Sequence, residues 1–423
     1  MQPDSLFFLL LQLFLCLLSI QVFSPVFDKL KAPKVFAEIF AGIILGPTIF
    51  KNIFPYFYDI IFVNNKDSLI AFGGMQELGL LLLMFCSGLE VEMLAKGKEK
   101  KLSLVAGFLG VLIPFSLALN STRFFNLESQ LGENGTIDSL KYFFAISCSI
   151  TSIPVISRIF IDLNLIKTKF ATICLSVALI EDFILYALMA MFITIGSAST
   201  TPSYLHLLGV EKNSIWEIIS HTILALVLIV SCFKIFPVII LYLRKSSILK
   251  RIFLNYLTLS ILILLSVSIL SIYFGIPSFL GPFLAGIIIG KTPLQNSDHL
   301  EHIKRFSFST FIPIFFVGIG LKLDLVQAFD FKFFTIFLIF SSIIKISGVI
   351  LSCLIIKIKR SDAINFGIAL NARGGPGIVL ASVGLASRFI NESYFVTLVL
   401  AALITSWFAG FWLNIKRKEI EAL

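Results

Sequence analysis

Charge is what this chain has least of. Only 14% of its 423 residues are Asp, Glu, Lys or Arg, against roughly 25% in an ordinary soluble domain. Histidine is scarce as well, at 4 in the whole chain. No HExxH run, spaced acidic metal cluster or Ser/His pair at a common depth occurs, which argues against an enzyme and against a bound cofactor. Cys16, Cys86, Cys148, Cys174, Cys232 and Cys353 all fall inside apolar runs without a CxxC or a Cys/His ligand spacing. They imply neither a disulfide framework nor a zinc site and read as small buried side chains. The net charge of +9 is spread in small groups between apolar runs, so no basic surface for nucleic acid is indicated.

What fills the chain instead is apolar: 57% hydrophobic, with a mean hydropathy of +0.98. Runs of around 20 residues, each long enough to cross about 30 Å of hydrocarbon as helix, alternate with short polar loops. The fold class is therefore an all-α integral membrane protein, with the lipid bilayer as its first partner; a β-barrel would need alternating segments of about 10 residues. The spans are predicted at 6–28, 34–50, 70–90, 103–123, 140–161, 168–195, 216–243, 253–275, 278–291, 306–322, 333–356, 362–388 and 395–413, thirteen in all. The first run has an acidic flank and no small-residue cleavage site, so it is read as a span and not a signal peptide.

An odd number of spans puts the two ends on opposite sides. Loops on one side of this arrangement hold 22 Lys and Arg and those on the other hold 8. The positive-inside rule then orients the chain in the cell membrane with its N-terminus outside and its C-terminus cytoplasmic.

Three pairs of stretches recur in one order along the two halves. AGIILG at 41–46 resembles AGIIIG at 285–290, MFCSGLEVEM at 84–93 resembles FFVGIGLKLD at 315–324, and Pro154 has a counterpart in Pro376. With span 216–243 as linker, six-helix repeats over 6–195 and 253–413 enter the membrane from opposite sides, the inverted-repeat plan of many secondary transporters.

Spans 5 and 12 are predicted to be discontinuous crossing helices. Pro154 interrupts SCSITSIPVIS, and Gly374, Gly375 and Pro376 interrupt ALNARGGPGIVLAS, where Asn371 and Arg373 flank the break. Backbone groups freed in lipid must be satisfied by protein or line a wet cavity, so matched breaks point to one central site, with Thr151 and Ser152 as oxygen ligands. Span 6 carries two adjacent acids, Glu181 and Asp182, near its centre, where an ionised carboxylate costs about 2.5–3.5 kcal/mol. Lys345 lies 13 residues after Lys332 and 12 before Lys357, about 18 Å from either end and too deep to reach water. The expectation is that Glu181 pairs with Lys345 while Asp182 faces the space between the breaks and binds the transported alkali cation. Arg158 and Asp162, four apart, read as a local pair, Lys234 and His221 as structural, and Glu38 and Glu77 as open.

These residues carry a family resemblance. KAPKVFAEIFAGIILGP, ELGLLLLMFCSGLEVEM, TSIPVISRIFIDLNLIKTKFATICLSVALIED, FIPIFFVGIGLKLDL, the lysine of IIKISG and LNARGGPGIVLASVGL resemble, in order and over essentially the whole chain, the monovalent cation/proton antiporter-2 family of the sodium/proton exchanger superfamily. The resemblance implies a homodimer with a moving core (103–195 and 333–413) against a panel (6–90 and 253–322). It also implies that Asp182 alternately holds a proton and a monovalent cation, Na⁺ or K⁺. Relatives with two aspartates use the first to meet the lysine that matches Lys345; Glu181 here keeps the charge on a longer arm. Some relatives continue into a cytoplasmic nucleotide-binding domain, and 1–423 is expected to be a single transporter domain without one. The alternative reading is a proton- or sodium-coupled symporter of a small organic anion, with Arg373 as the attracting charge.

Overall fold

The computed structural model describes residues 3–30, 34–89, 98–196, 256–273, 280–290 and 298–421. The predicted linker span 216–243, with His221, Cys232 and Lys234, lies outside the described residues, as do the side chains of Pro154, Arg158 and Asp162. Among the described residues the regular structure is helical apart from one isolated bridge between Leu131 and Ile390. Six stretches among the described residues are long and apolar enough to cross a membrane: Asp4–Lys29, Lys66–Leu89, Lys101–Phe124, Leu300–Leu321, Phe331–Ile355 and Glu392–Ile415. A seventh is the pair Arg360–Leu370 and Gly374–Ala386, bent by 41° at its break. Large apolar side chains are exposed at helical spacing along the first helix, α1 (Pro3–Lys29): Phe7, Leu10, Phe14 and Leu18. An apolar face turned outward is stable against lipid and not against water.

The chain forms two compact units. The first comprises Met1–Leu17, Ile60–Glu92 and Ile193–Gly318. Here α4 (Lys66–Leu89) packs on α10 (Leu280–Gly290) through facing glycines. A Cβ on Gly286 would lie 2.8 Å from the Cα of Gly88, and one on Gly88 would overlap the Phe283 carbonyl. In a membrane, where water does not drive helices together, such close backbone approach is a main source of packing energy.

The second unit comprises Leu18–Asp59, Met93–Phe192 and Ile319–Leu423. It uses the same device between α2 (Lys34–Leu45) and the end of α12 (Ile312–Leu321): a Cβ on Gly320 would sit 2.7 Å from the Cα of Gly42. Its centre is built from α5 (Lys98–Ser121), α6 (Ile137–Ser149), α7 (Ile153–Asp162), α8 (Lys169–Gly196), α13 (Phe331–Ile355), α14 (Arg360–Leu370), α15 (Gly374–Ala386) and α16 (Glu392–Ile415). The starts of these helices are written locally. Thr136 and Ser139 form a reciprocal capping box on α6, Asp330 caps α13 through the Phe333 amide at 3.0 Å, and Asn391 caps α16 through the Tyr394 amide at 3.0 Å.

Both interruptions lie within one helical turn upstream of a proline. Residues Ile150–Ser152 separate α6 from α7, with Pro154 second in α7, and Asn371–Arg373 separate α14 from α15, with Pro376 in its first turn. Proline starts a helix at no cost and denies the preceding turn its hydrogen bond, so the break falls upstream of it. The far ends of the two broken helices are tied together by backbone. Gly132 N donates to Phe389 O at 3.0 Å, Asn134 N to Arg388 O at 2.9 Å and Asn391 N to Gln130 O at 3.2 Å. Cys16, Cys86, Cys148, Cys174 and Cys353 are buried, and among the described residues no disulfide joins them.

Candidate functional site

The two breaks cross at their irregular residues. Gly374, at φ +32°, packs where a Cβ would stand 2.7 Å from Ser152 Oγ and would overlap Val155; only glycine takes both that backbone and that space. Thr151 Oγ bridges the crossing, within 2.8 Å of Leu370 O and 2.5 Å of Glu181 Oε2. One hydroxyl hydrogen serves these two acceptors. Ser152 Oγ accepts from the Val155 amide at 3.4 Å and so caps α7.

Around this crossing stand four buried charges. Lys345 Nζ lies 3.0 Å from Glu181 Oε2, with both side chains 0% exposed. The same ammonium donates to Ser149 O at 2.8 Å and Gly110 O at 3.1 Å, which fills all three of its donors. Arg373, 2% exposed, donates from Nη1 to Ser147 O at 3.1 Å and lies 5.5 Å over the Phe337 ring. Its Nε and Nη2 make no hydrogen bond among the described residues. Tyr394 and Ser147 hydroxyls meet at 3.0 Å beside it.

Asp182 differs from its neighbour. It is 1% exposed, and neither carboxylate oxygen has a hydrogen-bond partner among the described residues. The backbone N–H of Ile153, first residue of α7, acts on this carboxyl. An ionised carboxylate buried without partners is strongly disfavoured, so here it requires either a proton or a metal cation. Oxygen donors suited to a hard alkali cation surround the breaks: the carboxylate, the Thr151 and Ser152 hydroxyls and freed carbonyls. Asn371, 3% exposed, has an Oδ1 without a hydrogen bond among the described residues.

Among the residues singled out from sequence, the structure brings Thr151, Ser152, Glu181, Lys345 and Gly374 into direct contact. Arg373 sits on the adjoining turn of α6, and Gly375 and Pro376 are buried in the first turn of α15. Sequence reasoning missed Gly110 and Ser149, which act through backbone carbonyls, and Tyr394. The closely spaced glycines of AGFLG at 106–110 were the available signal for the first.

The family model for the sodium/hydrogen exchanger transmembrane domain matches residues 13–415. The chain is 28% identical to K(+)/H(+) antiporter 1 of Saccharomyces cerevisiae over 96% of its own length and 46% of that protein. It is 26% identical to Cation/H(+) antiporter 18 of Arabidopsis thaliana, over 94% of its own length and 47% of that protein. It thus spans about half the length of these relatives. The Na(+)/H(+) antiporter of Enterococcus hirae is 24% identical over 96% of this chain and 98% of that one. In fold, the chain is similar to the sodium proton antiporter of Methanocaldococcus jannaschii at pH 8, with TM-score 0.55, 15% identity and 99% of each chain covered.

Proposed function

Because this chain belongs to the sodium/hydrogen exchanger family, a family of multi-pass membrane transport proteins, we propose that it is a secondary active antiporter exchanging a monovalent cation, Na⁺ or K⁺, for H⁺. The observation that supports this reading is Asp182, buried next to Glu181 and influenced by the first amide after the break at 150–152, with no hydrogen-bond partner for either oxygen among the described residues. A proton and an alkali cation each neutralise it, and neither can bind while the other is there. Loaded with one, the site faces one side of the membrane; it then turns to the other side and exchanges its load. Glu181 and Lys345 neutralise one another beside it, so the pair fixes the carboxylates without competing for the cargo.

The finer architecture is part of the same proposal. Thirteen spans form inverted repeats over 6–195 and 253–413 around the linker 216–243. Reciprocal glycine contacts support this: Gly42 of AGIILG meets Gly320 of FFVGIG, while Gly88 of MFCSG meets Gly286 of AGIIIG. A two-fold relation between repeats predicts such crossed pairs. The core 103–195 and 333–413 moves against the panel 6–90 and 253–322, in a homodimer with the N-terminus outside and the C-terminus cytoplasmic. Arg373, the charge that an organic-anion symporter would offer its substrate, is spent on Ser147 O and covered by Phe337. That favours an inorganic cation.

Proton flux driven by Na⁺ or K⁺ gradients in proteoliposomes tests the function. Asp182→Asn, which keeps the shape and removes the exchangeable charge, is expected to abolish the flux. Flux persisting in that variant would overturn the reading.

A further inference from the structure

We propose that Gly110 is a positioning residue of the exchange site: its missing side chain is the room that lets a glutamate, one methylene longer than an aspartate, meet Lys345 from position 181. The inference rests on the antiport reading above. A Cβ placed on Gly110 would overlap Glu181 Oε1 and stand 3.4 Å from its carboxyl carbon. The carbonyl of the same residue accepts from Lys345 Nζ at 3.1 Å. Gly110 therefore touches both members of the buried pair.

Close approach of α8 to α5 makes this possible. Gly107, three residues earlier and on the same helix face, would place a Cβ 2.8 Å from that of Ile180. Gly107 and Gly110 thus form a shallow groove that receives Ile180 and Glu181, consecutive on α8. A carbon–carbon bond is about 1.5 Å long, and that extra reach puts Oε1 where any other residue at 110 would have its Cβ.

The tip of a flexible side chain ordinarily swings away from a new methyl group at little cost. Glu181 has no such freedom, because Oε2 is held by Lys345 at 3.0 Å and by Thr151. A rotation that clears Oε1 pulls Oε2 off its partners. Alanine at 110 is thus expected to leave helix packing in place and break the ion pair. Shortening the acid withdraws the carboxylate from the new methyl, so the same alanine meets no obstacle.

The test is a double-mutant cycle in proteoliposomes, reading proton flux driven by Na⁺ and K⁺ gradients for the native chain, Gly110→Ala, Glu181→Asp and the double variant, with Asp182→Asn as control. Gly110→Ala should slow the native chain by about tenfold or more, as displacement of a reacting geometry by an ångström does. In the Glu181→Asp background it should change the rate by less than about twofold, the range for sites that do not interact. Equal losses in both backgrounds, or no loss in the native one, overturn the proposal. Should Gly110→Ala fail to yield a monodisperse protein, the double variant is expected to restore both the size-exclusion peak and flux, and failure to restore them also overturns it. An inactive native chain, or an active Asp182→Asn, would sink the antiport reading instead. The cycle is then read in melting temperature, where coupling between positions 110 and 181 supports the steric relation and additivity refutes it.

Discussion

Replacing Glu181 by Gln exchanges one carboxylate oxygen for an amide and keeps the size of the side chain, so it isolates the charge of the buried pair. At the 3.0 Å separation of Glu181 Oε2 and Lys345 Nζ, Coulomb attraction with an effective dielectric of 20 is about 5–6 kcal/mol. Desolvation offsets much of that in the native state, but removing one partner leaves the other charge buried alone, which costs about 3–5 kcal/mol. Lys345 would keep Ser149 O and Gly110 O, which puts the expected loss near the lower end. A loss of about 3 kcal/mol shifts the unfolding equilibrium by about 150-fold. The assay is unfolding of purified protein in mixed micelles of mild detergent and dodecyl sulfate, followed by circular dichroism. Lys345→Met, which strands the carboxylate, should cost at least as much. Combining Glu181→Gln with Lys345→Met removes both charges and should cost less than the sum of the two. A loss below about 1 kcal/mol, the range of solvated surface pairs, or strict additivity would refute the claim that these charges neutralise each other out of reach of water.

Two further perturbations separate structural from exchange roles. Arg373→Leu removes the charged donor to Ser147 O and the contact with Phe337; a loss of about 1.5–3 kcal/mol is expected from one charge-assisted hydrogen bond, with Arg373→Lys falling between it and the native chain in the same unfolding assay. Arg388→Ala breaks an ion pair with Glu133 whose side chains are 65% and 74% exposed; transport should be unchanged and stability altered by less than about 1 kcal/mol.

Hydropathy made the long helices legible. Residues 333–356 were expected as a span and Phe331–Ile355 is the helix; for 395–413 it is Glu392–Ile415. Lipid imposes a length and a composition that soluble cores do not. The short elements were not legible. Asp298–Phe306, written DHLEHIKRF, folds as a helix where a loop ahead of the span at 306 was expected. Its charges hid an amphipathic turn pattern too short to register. Pro55–Phe62 was passed over in the same way. In the site, side chains with rare chemistry in an apolar setting stood out, since Glu181, Asp182 and Lys345 are costly wherever they sit in lipid. The breaks were placed by their prolines and glycines. Nothing in one sequence announces a carbonyl, so the other two acceptors of Lys345, on Gly110 and Ser149, came only from the way α5 and α6 pack on α13.

The break in α6–α7 sorts the buried charges by sign. A helix leaves its last carbonyls unpaired and carries partial negative charge there, while its first amides carry partial positive charge. At the end of α6 the carbonyls of Ser147 and Ser149 take the two cations, Arg373 and Lys345. At the start of α7 the partial positive charge of the Ile153 amide acts on Asp182, whose oxygens make no hydrogen bond among the described residues. Both cations are therefore committed to carbonyls on one side of the break, and Lys345 to Glu181 as well. Asp182 is left with a helix terminus, whose pull on a carboxylate is worth about 0.3–1 kcal/mol at an exposed end and up to about 2 kcal/mol in favourable buried geometry. That holds the acid in place and falls short of neutralising it. The remaining charge would come from a bound proton or cation, which is what the antiport proposal asks of its cargo.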